Sequence, residues 1–317
     1  MKWSRELRIA RRSLRTALKA ASAVASANVK AAGWLEWLPP SSGGLQQVAD
    51  FGSNPGKLGM YVHVPPTLVA GGPLIVLLHG CGQSAATFAA DAGWMALSDR
   101  LGIPLVLPEQ LGENNRGRCF NWFRPLHVKR GFGEAMSIRQ MVDAALERLD
   151  ADPQRVFLAG LSAGGAMTAA LLAAYPDVFA AGAVVAGLPV GAASSTTEAL
   201  ARMAEAGPVR SPEAWALEAR GAGPIGYTGP WPRVSIWQGA ADDVVDPGNA
   251  RLLGEQWSAL HGLGAGTTAT LSGGKRRTVW GPGDSPLVEL WMLPDLPHSW
   301  PTGAVDRVVQ FWGINPD

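Results

Sequence analysis

The sequence predicts an α/β fold with a mostly parallel central sheet covered by helices on both faces. Two observations carry that reading: short unbroken apolar runs recur along the chain, and helical patterns fall between them. A strand buried on both faces shows no polar side, so it reads as a continuous apolar run. Strands that alternate with helices imply parallel neighbours joined by crossovers.

Taken in order, Met60 to Val64 alternates in the manner of an exposed strand. Leu74-Ile75-Val76-Leu77-Leu78 is the first continuous run, and Pro104 to Leu107 the second. A helical pattern over 133–150 leads to Arg155-Val156-Phe157-Leu158-Ala159. A second helix over 163–175 is followed by the run Ala181 to Ala186. Residues 190–232 are rich in Ala, Gly and Pro and carry two short helical patterns, which reads as a small cap-like excursion. Arg233 to Trp237, a helix over 248–261, the run Leu287 to Leu293 and a helix over 303–313 complete the set.

The chain has 317 residues, 47% hydrophobic and 17% charged, which is the balance of a globular protein with a sizeable core. The formal net charge of +1 gives no argument for nucleic acid as a partner. No run approaches the roughly 18–20 apolar residues of a membrane span. The two cysteines, Cys81 and Cys119, exclude a disulfide-dense scaffold and a cysteine zinc site. They are either one bridge or two buried thiols.

Residues 1–45 differ from the rest. Seven basic residues from Lys2 to Lys19 interleave with alanines and with Leu7, Leu14 and Leu18, which share one helical face. This predicts a basic amphipathic helix suited to an apolar surface, joined to the main domain (46–317) by the linker Pro39-Pro40-Ser41-Ser42-Gly43-Gly44. Arg11-Arg12-Ser13-Leu14 also fits a twin-arginine export signal, and a disordered basic tail is the third reading. Lys19 and the weak apolar stretch favour a cytoplasmic location, whereas the twin arginines favour export.

The chemistry begins at Gly160-Leu161-Ser162-Ala163-Gly164, a Gly-x-Ser-x-Gly run between an apolar strand and a helix. A strand that turns sharply into a helix holds its serine at the apex, and small flanking residues avoid clashes there. Ser162 is therefore the expected nucleophile of an α/β-hydrolase fold. A serine hydroxyl needs a general base. Of the five histidines, His261 and His298 follow Ser162. His261 falls late in a helix, where a surface position is expected. His298 falls in a loop after the last strand, at the same sheet edge as the serine, and is the expected base. The orienting acid belongs after the strand Arg233 to Trp237, where Asp242 comes first after a small-residue turn. Asp243 and Asp246 are expected to be solvated or to cap the next helix. The developing oxyanion needs two backbone N–H groups, expected from Ala163 and from Cys81 in the loop His79-Gly80-Cys81-Gly82-Gln83. A Cys81–His79 nucleophile pair is disfavoured, because adjacency alone does not activate a thiol. His79 is instead expected to anchor the loop.

The segments Leu78-His79-Gly80-Cys81, Cys119-Phe120-Asn121-Trp122-Phe123, the elbow, Gly187 to Ala192, Trp237 to Val245 and His298-Ser299-Trp300-Pro301-Thr302-Gly303 together resemble the polyhydroxybutyrate depolymerase-type esterases, a group that includes feruloyl and acetylxylan esterases. The resemblance implies a serine carboxylic-ester hydrolase acting on polyhydroxyalkanoate polymer or oligomers, with Ser162, Asp242 and His298 as triad and no metal or organic cofactor. It implies Trp122, Trp300 and Gln83 as substrate-binding residues and makes a Cys81–Cys119 bridge plausible. Core packing is the competing role for both tryptophans. Gln238 stands where the family usually has His, and Gly82 where it often has Thr. A small-ester esterase and a non-catalytic binding protein of the same fold are the alternatives. Contact with a polymer granule through the N-terminal helix would suit the first reading.

Overall fold

The computed structural model describes residues 44–315. The amphipathic segment and the start of the linker lie outside the described residues. Ten strands form one sheet in the order β1-β2-β4-β3-β5-β6-β7-β10-β9-β8. They are β1 (Gln46–Val48), β2 (Gly59–His63), β3 (Leu74–Leu78), β4 (Leu105–Glu109), β5 (Val156–Leu161), β6 (Ala181–Val185), β7 (Arg233–Gly239), β8 (Thr267–Thr270), β9 (Arg276–Trp280) and β10 (Val288–Leu293). From β4 through β3, β5, β6 and β7 to β10 the neighbours run parallel. Antiparallel pairs close both ends. The helices are α1 (Ala85–Asp91), α2 (Trp94–Leu101), α3 (Pro125–Val128), α4 (Gly133–Leu149), α5 (Ala163–Ala174), α6 (Thr196–Ala204), α7 (Pro212–Ala222), α8 (Gly248–Leu260) and α9 (Ala304–Phe311). Among the described residues, no helix is long and apolar enough to cross a membrane.

Side chains alternate across a sheet, so each run of β residues feeds two cores. Ile75, Leu77, Leu105, Leu107, Phe157, Ala159, Ala183 and Val185 face one way, against Phe88 of α1, Trp94 and Leu97 of α2, and Val305, Val308 and Val309 of α9. On the other face a Cβ on Gly182 would meet Leu172 of α5 at 2.5 Å, so that helix lies almost on the sheet backbone. All twelve residues of α5 are buried, which explains why it shows no polar stripe.

One expectation is corrected. The strand at 59–63 is not exposed: β2 is paired on both sides, by β1 and β4, and four of its five residues are buried. The segment 85–101, for which the sequence predicts no helix, forms α1 and α2. Ser84 caps α1, accepting from the Thr87 N–H while the Thr87 side chain accepts from the Ser84 N–H. The β8–β9 hairpin was also missed, because β8 is fully exposed and has no apolar face.

The register places function at one edge. Leu78 lies beside Gly160, Leu161 beside Val185, Val185 beside Trp237, and Gly239 beside Leu293. The loops that leave β3, β5, β6, β7 and β10 therefore emerge together at the carboxyl edge of the parallel strands, where ligands bind in such sheets.

Candidate active site

β5 turns into α5 at Ser162, whose backbone sits at φ 58° and ψ −120°. Positive φ is costly for a residue with a Cβ and persists only where the surroundings enforce it. Here the enforcement is close packing. A Cβ on Gly160 would lie 2.3 Å from the Gly164 carbonyl oxygen, and one on Gly164 would lie 2.2 Å from that of Leu78. The Ser162 N–H donates to the Val185 carbonyl at 2.8 Å, pinning the apex to β6. Ser162 Oγ has no hydrogen-bond partner among the described residues, and the residue is 5% exposed.

The structure brings Asp242 and His298 together across 56 residues of sequence, with His298 Nδ1 donating to Asp242 Oδ2 at 2.8 Å. The Asp242 carboxylate is buried. Its Oδ1 accepts from the N–H groups of Val244 and Val245, each at 2.9 Å. Its Oδ2 also accepts from Gln238 Nε2 at 2.9 Å. Desolvation opposes ionisation of this group, but the Val245 N–H, His298 and the Val244 N–H outweigh it and hold the carboxyl below its usual range. Asp243 is exposed, and Asp246 Oδ1 accepts from the Gly248 N–H at the start of α8. Both sit as expected.

The loop after β3 is held from several directions. His79 Nδ1 donates to the Gly80 carbonyl at 2.7 Å, and its Nε2 accepts from the Gln110 N–H at 3.0 Å. Burial pushes the His79 imidazole below its usual value, which matches a neutral ring that donates from one nitrogen and accepts at the other. The Gly82 N–H donates to the Gly117 carbonyl at 2.9 Å, and Cys81 is disulfide-bonded to Cys119. Neither the Cys81 N–H nor the Ala163 N–H has an acceptor among the described residues. Ala163 opens α5, so its N–H lies at the positive end of the helix dipole.

Gln83, expected at the substrate, uses its Oε1 to accept from the Gly80 N–H at 2.8 Å, so it braces the loop. Trp300 packs edge-on against Phe88 and Trp94, with centroids 5.7 and 5.6 Å away, and joins the core on that face. Trp122 is buried against Phe123 and forms one wall of a cavity. His261 departs from its expected surface position. It is half-buried, Nε2 contacts the Pro232 carbonyl at 3.1 Å, and burial pushes it below its usual value.

Two supporting residues escaped the sequence reading. Gln238 was noted only as a departure from the family pattern, yet it donates to the acid itself. Glu134, in the first turn of α4, is fully buried and accepts from the Asn121 N–H at 2.8 Å and Gln110 Nε2 at 2.7 Å. Gln110 Nε2 also reaches the Cys119 carbonyl at 3.1 Å, so Glu134 organises the loop that carries both the disulfide and Trp122. In sequence, Glu134 is one acid at a helix start and carries no mark of burial.

Comparison with known proteins adds a family match. The model described as esterase PHB depolymerase matches residues 58–281. Poly(3-hydroxyalkanoate) depolymerase C of Paucimonas lemoignei is 43% identical over 266 residues, covering 82% of this chain and 64% of the relative. The chain thus spans a little under two thirds of that protein. Feruloyl esterase B of Talaromyces stipitatus is 32% identical over 290 residues, covering 88% and 79% of the two chains. The solved structure of an acetyl xylan esterase from Aspergillus awamori superposes with a TM-score of 0.77 at 28% identity, covering 86% of this chain and 99% of the other.

Proposed function

Because the chain belongs to the esterase PHB depolymerase family and is a carboxylic-ester hydrolase of the α/β-hydrolase fold, we propose that it hydrolyses polyhydroxyalkanoate chains or oligomers through Ser162, His298 and Asp242. The observation that carries the proposal is the hydrogen-bonded Asp242–His298 pair at the same sheet edge as the strained Ser162 apex. His298 Nε2 takes the proton from Ser162 Oγ as Oγ attacks the ester carbonyl carbon. The oxygen gains negative charge, which the N–H groups of Cys81 and Ala163 receive. The carbon–oxygen bond to the alcohol then breaks, His298 returns the proton to the leaving alkoxide, and the acyl group stays on Ser162. Water, deprotonated by His298, releases the acid and regenerates the serine. Asp242 keeps the Nδ1 proton in place and stabilises the imidazolium.

Identity to a poly(3-hydroxyalkanoate) depolymerase supports a polyester substrate. The fuller coverage of feruloyl and acetylxylan esterases supports a second reading, a small aryl or sugar ester, with the same residues. A fluorophosphonate tests the shared chemistry: a single adduct on Ser162, absent in Ser162→Ala, is expected. An unlabelled serine in folded protein would refute the triad and revive a non-catalytic role. The one-domain catalytic unit over 46–317 and granule contact through residues 1–45 belong to the same proposal. The Cys81–Cys119 bond supports export over the cytoplasmic location expected from the weak apolar region. N-terminal sequencing of protein from its host decides between the two.

A further inference from the structure

A cavity of about 630 Å³ is lined by segments that continue two loops of the site, and Ser162 and His298 do not line it. Its inner walls are Trp122 and Val190. Trp122 follows Cys119, which is bonded to Cys81 of the oxyanion loop. Val190 follows Val185, whose carbonyl holds the Ser162 N–H. The Gln256 side chain fixes Val190 at both its N–H and its carbonyl, each at 2.9 Å. The cavity is thus walled by the continuations of two loops of the site and by residues of α3, α6 and α7.

Its chemistry is mixed. Val128, Val190, Ala192 and Leu217 supply apolar surface, and Leu217 stays 68% exposed at the rim. Lys129, Arg202 and Arg210 bring positive charge. Arg210 is already committed, 2.7 Å from Glu218 and stacked over Trp215. Arg202 and Lys129 have no carboxylate within salt-bridge distance among the described residues. The natural partner of Arg202 is Glu198, one turn earlier on α6, but Glu198 Oε2 instead accepts from the N–H and hydroxyl of Ser194, each at 2.7 Å. A Cβ on Gly207 would meet Arg202 Nη1 at 3.0 Å, so the end of the guanidinium lies close to Gly207. Glu198 still attracts Arg202 through space, but neither Arg202 nor Lys129 is directly paired with a carboxylate among the described residues, which leaves their donors open to an anion from outside.

We propose that this cavity binds the free-carboxylate end of an oligomeric hydroxyalkanoate ester, with Arg202 and Lys129 pairing the carboxylate while the ester units lie along Val128, Val190, Ala192 and Leu217. The inference rests on the polyester reading above. It makes the enzyme selective for acid-terminated chains over the same chains with a blocked end.

The test compares 3-hydroxybutyrate dimer, trimer and tetramer as free acids and as methyl esters. Wild-type protein is expected to show a KM about tenfold lower for the acid at the chain length that spans the cavity, a preference worth about 1.4 kcal/mol. Added salt should erode it, because these cations are partly exposed. Arg202→Gln combined with Lys129→Gln, checked for folding by circular dichroism, should bring the two KM values together. Equal KM for acid and methyl ester in wild type, or a preference that survives in the double variant, would overturn the inference and leave the polyester reading standing. Cleavage of p-nitrophenyl butyrate but of neither oligomer form would instead refute the polyester reading and this inference with it.

Discussion

Asp242→Asn isolates the part of the site that is least exchangeable. The carboxylate accepts four hydrogen bonds, two at each oxygen, from Val244, Val245, Gln238 and His298. An asparagine has one acceptor oxygen. With that oxygen left on the two backbone N–H groups, its NH₂ faces two donors, Gln238 Nε2 and His298 Nδ1. His298 can accept from the new NH₂ only by moving its proton to Nε2, the nitrogen required as base. The loss of a hydrogen bond to a charged group is about 1.5–3 kcal/mol, and two are broken here. A sum near 4–5 kcal/mol corresponds to roughly a 10³–10⁴-fold fall in kcat, at about 1.4 kcal/mol per decade. The assay is hydrolysis of a soluble p-nitrophenyl ester with active-site titration, and Asp243→Asn serves as comparison. Asp243 is exposed, so its variant should stay within about twofold, as surface substitutions usually do. An Asp242→Asn enzyme with a tenth or more of normal kcat, or a larger loss in Asp243→Asn, would refute the assignment.

Gly164→Ala should cost about 1–3 kcal/mol of stability and reduce kcat by around 100-fold, because its Cβ would press on the Leu78 and His79 carbonyls and displace the apex by a fraction of an ångström or more. Melting temperature and kcat check the two effects. Cys119→Ser releases a link across 38 residues and should destabilise the fold by about 2–4 kcal/mol in urea titrations, with kcat falling as the Cys81 N–H loses its tether. His79 and His261 are both held below the usual imidazole value in the fold. Their contribution to stability is complete above about pH 6.5, where the unfolded chain is also neutral, and is lost as pH falls toward the lowered folded values. His79→Gln should flatten the stability slope below pH 6.5, and an unchanged slope would argue against a neutral His79.

The parallel sheet was legible because its strands are buried on both faces, and burial writes itself as runs such as Leu74 to Leu78. The Ser162 elbow was legible because close backbone approach admits only glycine at 160 and 164. What escaped had no such local cause. α1 is a short helix whose cap, Ser84 with Thr87, lacks the acidic partner that marks a capping box. β8 belongs to an exposed hairpin held by cross-strand pairs such as Thr268 with Thr278. Glu134 and Gln238 are polar residues whose partners come from distant segments, so only the fold reveals that they are buried. Gln83 and Trp300 sit in site-bearing loops, and the fold adds contacts the sequence does not show, from Gln83 Oε1 to the Gly80 N–H and from the Trp300 ring to Phe88 and Trp94.

The central claim is that Ser162 drives cleavage of a polyester. Its most direct test is release of 3-hydroxybutyrate or its oligomers from amorphous polyhydroxybutyrate granules, with Ser162→Ala as the blank. The account predicts steady release by wild-type protein and none above background from the variant. Equal release from both, or no release by a wild-type preparation that cleaves a soluble butyrate ester, would contradict it.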